Sequence, residues 1–156
     1  MQTADGSFAH SNNSAHHSRL IDDHQRQMER RGITLETAKA AGLWSATADQ
    51  VADILGFNPK SGGLVIPYFH PLTGQVVLNR VRPDRPPIIN SKPAKYLSPR
   101  GARNHLYFPP DAKDWIHDPT VAIGITEGEF KTLWAYQAGL HYVGLIGVWG
   151  WRGKND

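Results

Sequence analysis

The spacing of hydrophobic positions changes several times along the chain. From Arg19 to Arg30, Leu20, Ile21, His24 and Met28 recur at helical intervals with charges between them, which predicts a first helix. In "RRGITLETAKAAGLW", Gly32 ends that segment and Thr34 is placed to start a second helix, with Thr37 or Glu36 nearby. Ala38, Ala41 and Leu43 face inward there, and Gly42 stands at its C-cap. "SATADQVADILGF" predicts a third short helix, capped by Thr47 or Ser45, stopped by Gly56, with Val51, Ile54 and Leu55 on its apolar face. The pattern then turns extended. Leu64 to Phe69 is a β-branched and aromatic run whose Pro67 predicts an edge or bulged strand. "HPLTG" reads as a turn and "QVVLNRVRP" as the returning strand of a hairpin. "RPDRPPIINSKP" reads as a proline-rich link. Extended pieces follow around Tyr96 and Leu97 and at Leu106 to Phe108, closed by Pro109 and Pro110.

From Val121 the pattern changes once more. "VAIGIT" is continuously apolar, as in a strand of a covered parallel sheet. "EGEFKTLWAYQAG" is helical, with Phe130, Leu133, Trp134 and Gln137 or Ala138 at steps of three and four and Gly139 at its end. "LHYVGLIGV" is the next strand, so this stretch predicts a βαβ unit. The opening "MQTADGSFAHSNNSAHHS" has almost no apolar anchor and reads as disordered, its His10, His16 and His17 belonging to a solvated tail.

Composition narrows the class. A chain of 156 residues suits one domain, or a domain with a small helical appendage. The complete lack of cysteine excludes disulfides and thiolate metal sites and is compatible with a reducing, cytoplasmic setting. No apolar run approaches the roughly 20 residues of a membrane span, and no signal-peptide pattern opens the chain. The net charge of +3 says little, but its distribution says more. Residues 1–56 carry 5 Lys/Arg against 7 Asp/Glu, residues 57–115 carry 9 against 3, and residues 116–156 carry 3 against 4. The basic middle segment predicts an attraction for polyanions.

Two carboxylates, Glu127 and Glu129, flank Gly128 at the predicted strand-to-helix turn. Glu127 falls at the carboxyl end of the strand, where sites in open α/β sheets gather. Glu129 falls in the first helical turn, where the helix dipole alone favours an acid, so capping and function both remain open for it. Gly128 permits a tight turn or a close ligand approach.

"ITEGEFKTLWAYQAGL…GLIGVWGWRGKN" resembles the first motif of a toprim domain, the nucleotidyl-transfer and strand-cleavage module of bacterial-type primases and topoisomerases, and in particular the toprim-like domain of plasmid and phage primase and helicase proteins. The upstream pieces "RGITLETAKAAGL", "GLVIPYFHPLTGQVVLNRVRPD", "KYLSP" and "NHLYFPPDA" resemble, in order, the helical opening, hairpin and pre-toprim tract of the primase catalytic core. The resemblance implies an α/β chain, with an α+β N-terminal part followed by an incomplete toprim-like βαβ. Its expected parts are a disordered tail (1–18), a helical segment (19–56), a basic mixed α/β N-terminal subdomain (57–115) and the first part of a toprim-like domain (116–156).

The resemblance makes Glu127 the catalytic and metal-binding glutamate, supported by Gly128, Glu129 and Lys131. It implies that Arg80, Arg82, Lys92, Lys95, Arg100 and Arg103 contact template or nucleotide phosphates. The implied activity is synthesis of RNA primers on single-stranded DNA from nucleoside triphosphates, with Mg2+ in a complete site. The implied partners are single-stranded DNA, nucleoside triphosphates, and a replicative helicase or a missing C-terminal part. The aspartate-x-aspartate motif that binds magnesium in toprim enzymes has no counterpart in this sequence, so the resemblance is to a truncated core and the isolated chain is expected to make no primer. The alternatives are a non-catalytic nucleic-acid-binding or regulatory protein, and a toprim nuclease or topoisomerase relative. None of Tyr68, Tyr96, Tyr107, Tyr136 or Tyr142 is marked out as a strand-cleaving nucleophile.

Overall fold

The computed structural model describes residues 19–147. The histidine-bearing tail, and the segment 148–156 that ends the toprim-like motif, lie outside the described residues.

Three short helices open the fold: α1 (Asp22–Glu29), α2 (Leu35–Ala40) and α3 (Ala48–Leu55). The first is shorter than the Arg19–Arg30 expectation; Ile21 is its N-cap residue and exposed, while Leu20 is buried. Thr34 caps α2 by accepting from the Thr37 amide. Thr47 caps α3 in a reciprocal box with Gln50, and Gly56 ends that helix in the left-handed conformation. Ser45, the other candidate cap, lies instead in a strand the sequence reading did not separate, β1 (Trp44–Ala46).

Next comes the expected hairpin, β2 (Gly63–Phe69) and β3 (Val76–Pro83). The sheet order β1-β2-β3 makes β2 the central strand, contrary to the edge position that Pro67 implied. The reason is that β1 pairs only with Gly63, Leu64 and Val65. Pro67 lies past the end of β1, so its missing N–H has no neighbour to satisfy. The expected irregularity is present as a register shift between Tyr68 and Phe69.

The two faces of this sheet are covered by different helices. Trp44, Ala46, Val65 and Val81 pack against Val51 and Leu55 of α3. Leu64, Ile66, Tyr68 and Leu78 pack against Met28, Ile33, Ala38 and Ala41 from the α1–α2 region, and against Phe130 and Leu133 further along the chain. One core therefore joins residues from all three expected segments between 19 and 147. A polar chain centred on the buried His24 pins α1 to the sheet: His24 hydrogen-bonds Ser45 Oγ (2.6 Å) through Nδ1 and the partly exposed Asp84 Oδ1 (2.8 Å) through Nε2, while Ser45 Oγ accepts from the Ile21 amide (2.9 Å).

Where the sequence predicted a link, the chain forms a small hairpin, β4 (Ile88–Ile89) and β5 (Lys92–Pro93). Leu97 then bridges Val81, and Tyr107 bridges Gly144. A one-turn helix, α4 (Ala112–Trp115), follows the Pro109–Pro110 pair. The βαβ unit is present as β6 (Gly124–Glu127), α5 (Glu129–Gln137) and β7 (Tyr142–Leu145), with β6 and β7 parallel and paired from Gly124↔Tyr142 to Glu127↔Leu145. The expectation of a covered strand is overturned here: Ile125 is 69% exposed. Trp115 and Ala112 of α4 cover Val143 of β7, but among the described residues nothing comparable covers Ile125 of β6. Trp134, assigned to the buried face of α5, is also exposed and lies with its indole against Gly32. The Gln137 side chain ties α5 to the α1–α2 connection, accepting from the Thr34 amide (2.8 Å) and donating to the Gly32 carbonyl (3.0 Å).

Candidate functional site

The turn from β6 to α5 separates the two glutamates sharply. Gly128 has φ +87°, a conformation that L side chains rarely adopt, so the turn is built for glycine. On its strand side Glu127 ends β6 with its side chain exposed. On its helix side Glu129 is only 2% exposed. Close approach behind the turn also depends on Gly144, where an added Cβ would stand 2.5 Å from Thr132 Oγ1 and 3.2 Å from the Gly128 carbonyl. A Gly144→Ala substitution is therefore expected to cost about 1–3 kcal/mol by overpacking, read as a lowered urea midpoint. An unchanged midpoint would show that α5 gives way at no cost.

Glu129 does not cap its helix; no side-chain cap bond is made at the N-terminus of α5. Its carboxylate instead accepts from Tyr68 Oη (2.6 Å) and from Arg80 Nη1 (2.6 Å), which ties the βαβ unit to the β2–β3 hairpin. Tyr107 packs edge-on against Tyr68, ring centroids 4.9 Å apart. Burial is the largest single influence on the Arg80 guanidinium and would lower its pKa, but the Glu129 charge, Tyr68 and the hydrogen bonds to both together outweigh it and the pKa is raised. Burial and then the Glu129 charge raise the hydroxyl pKa of both Tyr68 and Tyr107, and of Tyr96 against an opposing pull from Arg82.

Beside this buried pair lies a surface of cations and rings. Arg82 stands over the Tyr96 ring at 5.3 Å, with Arg80 at 5.1 Å from the same ring, and Arg31 stands over Phe130 at 4.7 Å. Tyr96 and Phe130 are neighbours, 6.3 Å apart. Arg80 is spent on Glu129, whereas neither Arg31 nor Arg82 makes an ion pair with a carboxylate among the described residues. Arg31 was not singled out from sequence. It closes the predicted first helix, and its position over Phe130 arises only when α5 packs back across the α1–α2 connection.

The other sequence-selected cations are dispersed. Lys92 lies in β5 and Lys95 just beyond it, both exposed. Arg100 and Arg103 line a separate cleft of about 390 Å³ along β3, with Val76 to Asn79 and His105. Lys131 is exposed on α5. Magnesium requires several oxygen ligands in octahedral geometry. Among the described residues no group of three or more His, Asp or Glu side chains is placed to hold a metal ion. Glu127 alone does not fit that requirement, and no step through a metal is derived.

The fold is similar to part of the solved bacterial-type primase catalytic cores. The chain superposes on the Aquifex aeolicus primase zinc-binding and RNA polymerase domains with a TM-score of 0.59 and 22% identity, over 81% of this chain and 37% of that one. It superposes on the DnaG primase catalytic domain bound to single-stranded DNA with a TM-score of 0.57 and 18% identity, over 81% and 47%. The E. coli primase catalytic core gives a TM-score of 0.56 and 20% identity, over 80% and 48%. The chain thus spans less than half the length of these structures. No family model and no curated protein matches the sequence.

Proposed function

We propose that the chain is part of a primase-type core that holds single-stranded DNA, and the phosphates of incoming nucleotides, on the surface around Arg31, Arg82 and Tyr96. The observation that carries this reading is the pair of guanidiniums stacked on Tyr96 and Phe130 without carboxylate partners, beside the turn that presents Glu127. Arginines without carboxylate partners suit a single strand, whose phosphates meet the charges and whose bases meet the half-buried Tyr96 ring; Phe130 is only 7% exposed and serves as the platform under Arg31. The primase structure bound to single-stranded DNA, which shares the fold, supports it. Lys92 and Lys95 extend the cationic surface, and Arg100 and Arg103 supply a second stretch of it. The fold alone does not argue for a toprim nuclease or topoisomerase.

In this reading Glu127 is the acid/base residue of nucleotidyl transfer, and the aspartate-x-aspartate carboxylates that would complement it are not carried by this sequence. The chain alone is then expected to bind a labelled oligonucleotide and to make no primer when given template, nucleoside triphosphates and magnesium. Glu127→Ala should bind DNA as the parent does, because the carboxylate faces solvent. Primer made by the chain alone would overturn the assignment of the missing ligands. Loss of DNA binding in Glu127→Ala would show that the residue shapes the surface. The absence of any three-carboxylate cluster among the described residues favours a second reading, a DNA-binding module without catalysis. The two readings separate on whether Glu127→Ala removes activity from a longer chain that carries a full set of carboxylates.

A further inference from the structure

The β4–β5 hairpin is a finger whose first strand, β4, carries two exposed isoleucines, one on each face. Ile88 is 69% exposed and Ile89 50% exposed, although they are adjacent and neither joins a core cluster. The finger is closed by Asn90 (φ 49°) and Ser91 (φ 62°), the paired positive values of a tight hairpin turn. Its two strands are paired through Ile88↔Pro93 and Ile89↔Lys92, and its base is fixed by the Ala94 amide donating to the Pro87 carbonyl (2.8 Å). Pro86, Pro87 and Pro93 remove backbone donors along the finger, so extending it by another β-strand is disfavoured. The exposed isoleucines are available as side chains, not as the edge of a sheet.

Charge selects the partner. Residues 85–105 contain Arg85, Lys92, Lys95, Arg100 and Arg103 and no Asp or Glu. β5 runs through Lys95 into Tyr96, the ring beneath Arg82. A strand apolar on both faces, on cationic shoulders and continuous with a cationic-aromatic surface, fits a polyanion that carries flat apolar faces between its charges. We propose that this finger is a wedge: Ile88 and Ile89 insert against the bases of a single DNA strand and unstack one step, while Lys92 and Lys95 hold the flanking phosphates. The inference rests on the DNA-binding reading above and adds to it a base-contacting element. Two isoleucines offer little area for a lipid surface, which makes the membrane the less favoured partner.

The test is a titration of the full chain with a single-stranded oligonucleotide carrying 2-aminopurine, whose fluorescence rises when it is unstacked. The parent should raise the fluorescence at saturation. Ile88→Ser/Ile89→Ser should abolish that rise and weaken binding about tenfold, with the salt dependence of binding unchanged because no charge is lost. The variant's melting temperature should match the parent's, since both side chains are exposed. Unchanged affinity and an unchanged fluorescence rise in the variant would overturn the wedge alone. Loss of binding to phosphatidylserine vesicles with DNA binding intact would overturn it in favour of a lipid surface. Failure of the parent to bind the oligonucleotide would remove the wedge and the DNA-binding reading together.

Discussion

Arg80→Ala is expected to destabilise the fold by about 3–5 kcal/mol, because it strands a buried carboxylate. Glu129 is 2% exposed and the Arg80 side chain 11%, so water cannot replace the lost partner. Tyr68 Oη would remain as the other donor at 2.6 Å, and one neutral hydroxyl does not balance a full charge. For a domain with a total stability of about 5–15 kcal/mol this is a large share, and the melting temperature should fall by roughly 10 °C or more. Glu129→Ala should cost a comparable amount, for it leaves the guanidinium buried and unpaired; Arg80 Nε already lacks a partner.

The two losses should not add. Once either partner is gone, removal of the other relieves a stranded charge, so the double-mutant cycle should show strong coupling. An apolar replacement of the whole group, Tyr68→Phe with Arg80→Met and Glu129→Leu, should recover most of the stability, since a well-packed apolar cluster often equals or exceeds a buried ion pair. Urea denaturation at two salt concentrations checks both points, because a pair this buried is little screened. A cost for Arg80→Ala below about 1 kcal/mol, the range of exposed pairs, would show that water reaches Glu129.

The same pair marks where sequence reasoning stops. Local signals were readable because their physics is local. Thr47, one of two candidates beside Ser45, announced the α3 cap, Gly56 announced its end, and the turn at "HPLTG" announced the β2–β3 hairpin. The parallel pairing of β6 with β7 followed from the apolar–helical–apolar succession. The errors concern which neighbours an element has. Pro67 argues for a position where no backbone donor is needed, which a central strand provides here because β1 is only three residues long and ends short of it. Ile125 argues for burial, which needs a covering element that the described residues do not supply. Nothing in "EGE" says that the second glutamate turns inward to an arginine 49 residues earlier. A carboxylate two residues beyond a strand end looks like a cap until the hairpin opposite it is in place. Arg80 was read as a phosphate contact for the same reason: its charge is visible in sequence, but its partner is not. Arg31 is the reverse case, a residue with no local signal whose exposure and stacking come from packing alone.

That reassignment makes the second large prediction one of kind as well as size. Arg80→Ala should act mainly on stability, whereas Arg31→Ala/Arg82→Ala should act mainly on binding. Arg31 is exposed and Arg82 half-buried, and neither neutralises a carboxylate among the described residues, so their removal strands no charge. The folding cost should be limited to the lost stacking on Phe130 and Tyr96, about 0.5–1 kcal/mol for each exposed cation–aromatic contact. If each arginine meets one phosphate, binding to a single strand should weaken by about tenfold per residue near physiological salt, the scale of a charge-assisted hydrogen bond. The slope of log K against log salt should shrink in magnitude by about 0.7 for each contact removed, hence by roughly 1.4 for the double variant. Fluorescence anisotropy across a salt series measures both quantities on one protein. Weaker binding with an unchanged slope would mean that the arginines serve only to hold the Tyr96 ring for base stacking. Unchanged binding and slope would place the strand elsewhere, with the cleft lined by Arg100 and Arg103 the next surface to vary.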